Sequence, residues 1–344
     1  MSVAKRLDGE VAEPLPLVAG AGGSAGGKPG SEFRFKGRHF LTLTDYTDAE
    51  LFFILDYARR LKEELAAGRF RPLLAHKTLA MIFAKPSTRT RVSFEVGMSQ
   101  LGGTSLYLST ADLQLGRGES VADTARVLSR YVDGIMVRTF AHSELEELAR
   151  HATVPVINGL TDWLHPCQAM ADYMTILEHK GRLNDLILAY VGDGNNMVHS
   201  LIQGAVKFGA KIRVATPPGY EPDETVVAWA LSEGKPGQVE IMTDPRAAVQ
   251  GADVVYTDVW AGMGAEAEAE ERQQIFRPYQ VNEELMGLAA ADAIFMHCLP
   301  ARRGEEVTDQ IMDGPQSVVF DQAENRLHVQ KAILALLMGP GKVS

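Results

Sequence analysis

The chain has 344 residues, 46% apolar and 23% charged, enough for two αβ domains with a sizeable core and too apolar for a largely disordered protein. A net charge of −10 argues against general attraction to nucleic acid or to an anionic membrane surface, without excluding a small basic pocket. The two cysteines, Cys167 and Cys298, suit a reducing, cytoplasmic setting, no stretch has the apolar length of a membrane span, and the nine scattered histidines form no Cys/His quartet for a metal.

Residues 1–33 read as a flexible leader. They carry a Gly, Ala and Ser-rich run from Ala19 to Gly27, and Asp8, Glu10 and Glu13 fit neither a secretory signal nor a transit peptide. From about Arg34 the pattern becomes regular. Thr47-Asp48-Ala49-Glu50 is a helix-start signal, and Leu51, Leu55, Ala58 and Leu65 mark the apolar side of a helix running towards Gly68. Lys77 to Phe83 predicts a buried strand, followed by a polar turn and a helix through Val92, Val96 and Leu101 that stops at Gly102-Gly103. Strands near Thr104 to Leu108, Gly134 to Val137 and Val154 to Ile157 then alternate with helices from Ser120 to Tyr131 and after Ser143.

Gln168 to Lys180 predicts a connecting helix. The apolar run Leu186 to Val191 suits a strand covered on both faces. A helix from Asn196 to Phe208 follows, with strands near Ile212 to Ala215, Val254 to Thr257, Ile294 to His297 and Val318 to Phe320. The fold expected is therefore α/β, with two parallel-sheet domains, the second Rossmann-like, joined by interdomain helices. Residues 34–167 and 168–322 are the expected domains, with a last helix at about 323–338 returning to brace the first.

Lys85-Pro86-Ser87-Thr88-Arg89-Thr90-Arg91 sits where a strand gives way to a helix. Free backbone N–H groups and the positive end of the helix dipole favour an anion there. The hydroxyls of Ser87, Thr88 and Thr90 add donors, and Arg89 offers a planar fork suited to phosphate. Each residue alone fits a capped helix with surface arginines; their combination at this junction favours anion binding. The glycines and the Gly-Lys-Ser/Thr ending of a nucleotide-triphosphate loop are absent.

This segment, continued by Ser93-Phe94-Glu95, resembles the phosphate signature of the aspartate and ornithine carbamoyltransferase family, and the resemblance extends over roughly residues 34–338. It implies that Ser87, Thr88, Arg89 and Thr90 hold the phosphate of carbamoyl phosphate. It also implies that Arg138, in Val137-Arg138-Thr139-Phe140, is a second phosphate-directed arginine. His165 and Gln168, in His165-Pro166-Cys167-Gln168, would serve the carbamoyl group. Gln114 corresponds to a residue lent to a neighbouring subunit, which implies a homotrimer, or a multiple of trimers, with shared active sites. Arg326 corresponds to a further residue of the carbamoyl phosphate site.

Val191-Gly192-Asp193-Gly194-Asn195-Asn196-Met197 is a second strand-to-helix turn. It lacks the three-glycine spacing of a dinucleotide site, although a nicotinamide-dependent dehydrogenase stays a rival on its account. In the ornithine branch this turn belongs to the amino-acid site, with Asn196 the contacting residue, and Asp258 and Met263 match the loop that grips the zwitterionic end of ornithine. Gly262 stands where the family favours Ser, which removes a hydroxyl and loosens the backbone. His297-Cys298-Leu299-Pro300 is the most discriminating match, since aspartate enzymes carry a Pro-Leu-Pro-Arg type of segment there. By resemblance Cys298 lies beside the acceptor amine and the Leu299 carbonyl binds the carbamoyl NH₂.

The activity implied is carbamoyl transfer from carbamoyl phosphate to the δ-amine of L-ornithine, giving citrulline and phosphate in arginine metabolism. No cofactor and no metal is implied, and Arg89, His165, Gln168 and Cys298 carry the chemistry. A carbamoyltransferase for acetylornithine, putrescine or aspartate, and a catalytically silent relative, remain open alternatives.

Overall fold

The computed structural model describes residues 33–113, 118–262 and 268–340. The expected leader up to residue 32, Gln114 and Met263 lie outside the described residues.

The first half begins with α1 (Asp48–Ala66), opened by a reciprocal capping box between Thr47 and Glu50. Then come β1 (Thr78–Phe83), α2 (Thr88–Gln100), β2 (Thr104–Ser109), α3 (Val121–Tyr131), β3 (Gly134–Arg138), α4 (His142–His151) and β4 (Val156–Leu160). The four strands form one parallel sheet in the order β2-β1-β3-β4. In β1, Leu79, Met81 and Phe83 enter one apolar cluster, while Ala80 and Ile82 enter another on the opposite face. Successive side chains of a strand point to opposite faces, so a strand covered by helices on both sides must read as a continuous apolar run.

α5 (Pro166–Lys180) carries the chain to the second half, with the expected division at residue 168 inside its first turn. There follow β5 (Ile187–Val191), α6 (Asn196–Phe208), β6 (Lys211–Ala215), α7 (Glu224–Glu233), β7 (Val239–Met242), α8 (Pro245–Val249), β8 (Val254–Thr257), α9 (Ala269–Phe276), α10 (Glu283–Met286), β9 (Ile294–His297), α11 (Asp309–Met312) and α12 (Val319–Met338). The second sheet is parallel, in the order β7-β6-β5-β8-β9. α12 returns to pack on α1, α2 and α5, and the Gly37 N–H donates to the Leu337 carbonyl at 3.0 Å.

Three expectations need correction. Val318 to Phe320 is no strand. Only Ser317 bridges to Phe295, and the chain then turns into α12, which starts at Val319 and not near residue 323 or 325. Val92 and Val96 do not face the core: they are 49% and 37% exposed, whereas Phe94, Gly97 and Met98 of α2 are buried. Finally, β7 and the helices α7 to α11 are additions to the sequence-based outline; β7 has only four residues and lies at the sheet edge, too short for a period to declare itself. No helix of the described residues is long and apolar enough to cross a membrane.

In each sheet the chain winds both ways from a central strand. β1 leads through α2 to β2 on one side while β3 lies on the other; β5 leads to β6 while β8 and β9 lie opposite. The carboxyl ends of β1 and β3, and of β5 and β8, therefore bound two crevices of the kind in which α/β sheets bind ligands.

Candidate active site

The first crevice is cationic. Ser87 caps α2, its Oγ accepting from the Thr90 N–H at 3.3 Å and lying 3.1 Å from Thr90 Oγ1. That arrangement leaves the N–H groups of the first turn, at Thr88 and Arg89, without the carbonyl partners of a helix interior. Thr88 is exposed, Arg89 half-buried and Thr90 buried. Arg138 ends β3 beside this turn, and Arg326 reaches it from α12, donating from Nη2 to Thr90 Oγ1 at 2.5 Å and from Nη1 to Gln168 Oε1 at 3.3 Å.

The Nε atoms of Arg89, Arg138 and Arg326 are all buried with no hydrogen-bond partner among the described residues. Burial, followed by the repulsion of Arg326 and Arg89, lowers the Arg138 guanidinium to about 10. Burial also lowers Arg326, with Arg89 adding to the effect. Three cations held this close, with no salt bridge to any of them among the described residues, form a cradle for a multiply charged anion.

His165 caps α5 at the edge of the same crevice, its N–H donating to Ser200 Oγ at 2.8 Å. Its ring is buried, and Nδ1 has no partner among the described residues. Burial, then the repulsion of Arg326, Arg138 and Arg89, pushes the imidazole well below its ordinary value, so it is neutral near pH 7. Gln168, one turn on, is buried, and its Nε2 donates to Asp172 Oδ1 at 2.8 Å.

The opposing wall comes from the second sheet. Asp258, just past β8, is buried; its Oδ2 accepts from Asn195 Nδ2 at 2.9 Å and its Oδ1 from Cys298 Sγ at 3.1 Å and from the Val259 N–H at 2.8 Å. Burial, then Asp258, pushes the Cys298 thiol well above its usual value and keeps it protonated. Leu299 follows with φ 60°, a left-handed conformation that costs a branched residue about 1–3 kcal/mol. Its N–H donates to His297 Nδ1 at 2.8 Å, while His297 Nε2 pairs with buried Glu306 at 3.1 Å.

The ligand atoms of Asp258, His297 and Cys298 lie within 4.8 Å of one another, a spacing a metal could use. The imidazole has no lone pair to spare, however: Nδ1 accepts from Leu299 and Nε2 carries the hydrogen given to Glu306. The donor set does not suit a metal.

Asn196 donates from Nδ2 to the Thr161 carbonyl at 2.5 Å, pinning α6 to the end of β4; its neighbour Asn195 both caps α6 and holds Asp258. Gly262 is half-buried, and a Cβ there would meet nothing within 4 Å among the described residues. The glycine turn after β5 has a structural use. A Cβ on Gly194 would lie 2.3 Å from the Glu221 carbonyl carbon, so the chain's own backbone fills the approach that a pyrophosphate would need. Sequence reasoning passed over Asn195, Asp172, Gln322 and Glu306, whose partners lie far along the chain.

Comparison with known proteins assigns both walls. Residues 38–178 match the carbamoyl-P binding domain of aspartate/ornithine carbamoyltransferase, and residues 184–337 match the Asp/Orn binding domain. The chain belongs to the aspartate/ornithine carbamoyltransferase family. Within this family it is 62% identical to the ornithine carbamoyltransferase of Thermococcus kodakarensis over 89% of its own length and 98% of that protein's. It is 61% identical to the anabolic ornithine carbamoyltransferase of Pyrococcus furiosus, covering 88% of this chain and 97% of that one. The solved Pyrococcus furiosus structure superimposes with a TM-score of 0.86, covering 90% of this chain and 99% of that one. Arg89, Arg138, His165 and Gln168 thus lie in the carbamoyl-P match, while Asp258 and Cys298 lie in the Asp/Orn match, which also contains Arg326, returned to the first crevice by α12.

Proposed function

We propose that the protein transfers the carbamoyl group of carbamoyl phosphate to the δ-amine of L-ornithine, giving L-citrulline and phosphate. The observation that carries this reading is the cradle of Arg89, Arg138 and Arg326 facing the Asp258–Cys298 wall across the two sheet ends. One side is built for a dianion; the other presents a buried carboxylate suited to an ammonium.

In this mechanism Ser87, Thr88, Arg89 and Thr90 at the start of α2, with Arg138 and Arg326, hold the phosphate. The uncharged amine attacks the carbamoyl carbon, the carbonyl electrons move onto oxygen, and the collapse of the tetrahedral state breaks the C–O bond to phosphate, which leaves with the proton that the attacking nitrogen gives up. Arg89, Thr90 and His165 stabilise the developing oxyanion. Donors fixed before the reaction cost no reorganisation during it, and one such donor is commonly worth about 3 kcal/mol. A neutral His165 donates a hydrogen bond there without adding a fourth positive charge. Gln168 Oε1 and the Leu299 carbonyl accept from the carbamoyl NH₂. Asp258, with Cys298, holds the amino-acid end of ornithine beside Asn196, Gly262 and Met263, and Gln114 comes from a neighbouring subunit.

A cytoplasmic homotrimer with shared sites completes the proposal. Apolar side chains left exposed on α2 and on edge strand β2, namely Val92, Val96 and Leu106, support a covered face there. The test is incubation of the purified protein with carbamoyl phosphate and, separately, L-ornithine, N-acetylornithine, putrescine and L-aspartate, with the ureido product quantified. Product from ornithine far above the others is expected. Carbamoylation of another amine alone would overturn the acceptor assignment, and no product from any would overturn the activity.

A further inference from the structure

Asp172 lies one turn beyond Gln168 on α5 and is fully buried, yet it occupies no substrate position in the reaction above. Its Oδ1 accepts from Gln168 Nε2 at 2.8 Å and from Gln322 Nε2 at 2.7 Å, and its Oδ2 accepts from the Tyr256 hydroxyl at 3.2 Å. An ionised carboxylate has no hydrogen to give, so it takes the NH₂ end of both amides and turns each amide oxygen away from itself. For Gln322 that oxygen accepts the His297 N–H at 2.9 Å, one residue before Cys298. For Gln168 it lies 3.3 Å from Arg326 Nη1, in the anion cradle.

We propose that Asp172 is a positioning residue that locks the Gln168 amide with its oxygen towards the carbamoyl group, so that the site selects an acyl phosphate bearing NH₂ over one bearing CH₃. The inference rests on the reading of Gln168 as an acceptor for that NH₂. Without Asp172 the amide is free to turn over and set its own NH₂ against the substrate's, donor facing donor. Burial raises the Asp172 carboxyl to about 7 even though the hydrogen bonds from Gln168, Gln322 and Tyr256 act in the opposite direction, each of them favouring the acceptor-only form. The same carboxylate joins α5, β8 and α12, and through Gln322 reaches β9. It therefore ties the orientation of one substrate's ligand to the wall that holds the other.

The test uses two stable phosphonates of one shape, phosphonoacetamide and 2-oxopropylphosphonate, which differ only in NH₂ against CH₃, with inorganic phosphate as a third ligand. Each is titrated calorimetrically into the full-length protein and into Asp172→Leu and Asp172→Asn. The wild-type protein is expected to prefer the amide by about tenfold or more, the discrimination of a site built to pair a polar group. Asp172→Leu is expected to bring the two ligands within about threefold by weakening the amide alone, with the ketone and phosphate moved less than about twofold. Asp172→Asn, which keeps one acceptor oxygen, is expected to fall between them.

Equal weakening of all three ligands would show a merely structural role and overturn the proposal, as would an undiminished preference in Asp172→Leu. If that variant fails to fold, a full wild-type preference in Asp172→Asn overturns it instead. A wild-type protein that binds both phosphonates equally would refute the role of Gln168. One that binds neither would refute the proposed function itself.

Discussion

Replacing Arg138 with Met should make the protein more stable and a poorer binder at once. The guanidinium falls from its ordinary value to about 10 on folding. The folded chain therefore holds this proton less tightly than the unfolded chain does. At any pH below about 10 the charge is present in both states, and each unit of depression disfavours the folded one by about 1.4 kcal/mol. The shift corresponds to roughly 3 kcal/mol, of which about 1–2 should be recovered after the packing of the stem changes. In a chain of this size that is a rise of about 1.5–3 °C in melting temperature.

Ligand reverses the order. A phosphonate at a hundred times its dissociation constant raises the stability of the wild-type protein by about 2.7 kcal/mol. Loss of one charge-assisted contact, about 1.5–3 kcal/mol, removes most of that gain from the variant. Thermal unfolding in phosphate-free buffer, with and without phosphonoacetamide, reads both effects. An Arg138→Met protein that melts below wild type without ligand, or that keeps the full ligand-induced rise, would refute the idea that this charge is held at the expense of the fold.

His165 is neutral through the physiological range because burial and three arginines disfavour its protonation, so kcat measured from pH 6 to 8 should show no acid limb at the ordinary imidazole value near 6.5; a limb that disappears in His165→Gln would contradict this. Its linkage sign follows: below about 6.5 the unfolded chain takes up a proton that the folded one refuses, so this residue lowers stability as pH falls. Gly262→Ser should fold normally, since its Cβ meets nothing within 4 Å among the described residues and its φ lies outside the left-handed region; melting within about 2 °C of wild type, with any change confined to the KM for ornithine, is expected. Gly204→Ala should destabilise by about 2 kcal/mol or more despite alanine's higher helix propensity, because the new Cβ would sit 2.1 Å from the Tyr173 ring where α5 meets α6; chemical denaturation measures it.

The alternation of strands and helices, and the phosphate turn at Ser87 to Arg91, were legible because each is a local pattern. A strand covered on both faces reads as a run such as Leu-Ala-Met-Ile-Phe, and a helix start announces itself through Thr47 and Glu50 or through Ser87. Local pattern also misled. Val318-Val319-Phe320 has strand composition, but Val318 makes a single strand-like bond, to the Phe295 carbonyl, before the helix begins, and Phe320 ends 68% exposed. Resemblance located the arginines and the acidic wall, yet it said nothing of what aims them. Asp172 meets Gln322 150 positions away, and Arg326 reaches Thr90 across 236. Contacts at that separation leave no periodic trace. The hold of Asn195 on Asp258 was equally hidden, because two adjacent asparagines differ only in which way the helix start turns them.

The return of α12 to the first half has a consequence for how the molecule comes into being. Synthesis proceeds from the amino end, so both sheets can be translated while the first still lacks the helix that covers α1, α2 and α5. Arg326 belongs to that same segment, so a nascent chain has two of the three cations at its anion cradle and an uncovered apolar layer until α12 has left the ribosome. Competence to grip phosphate is thereby deferred until both sheets have been made, and a product cut short before α12 would be both inert and sticky, a target for the machinery that clears unfinished proteins.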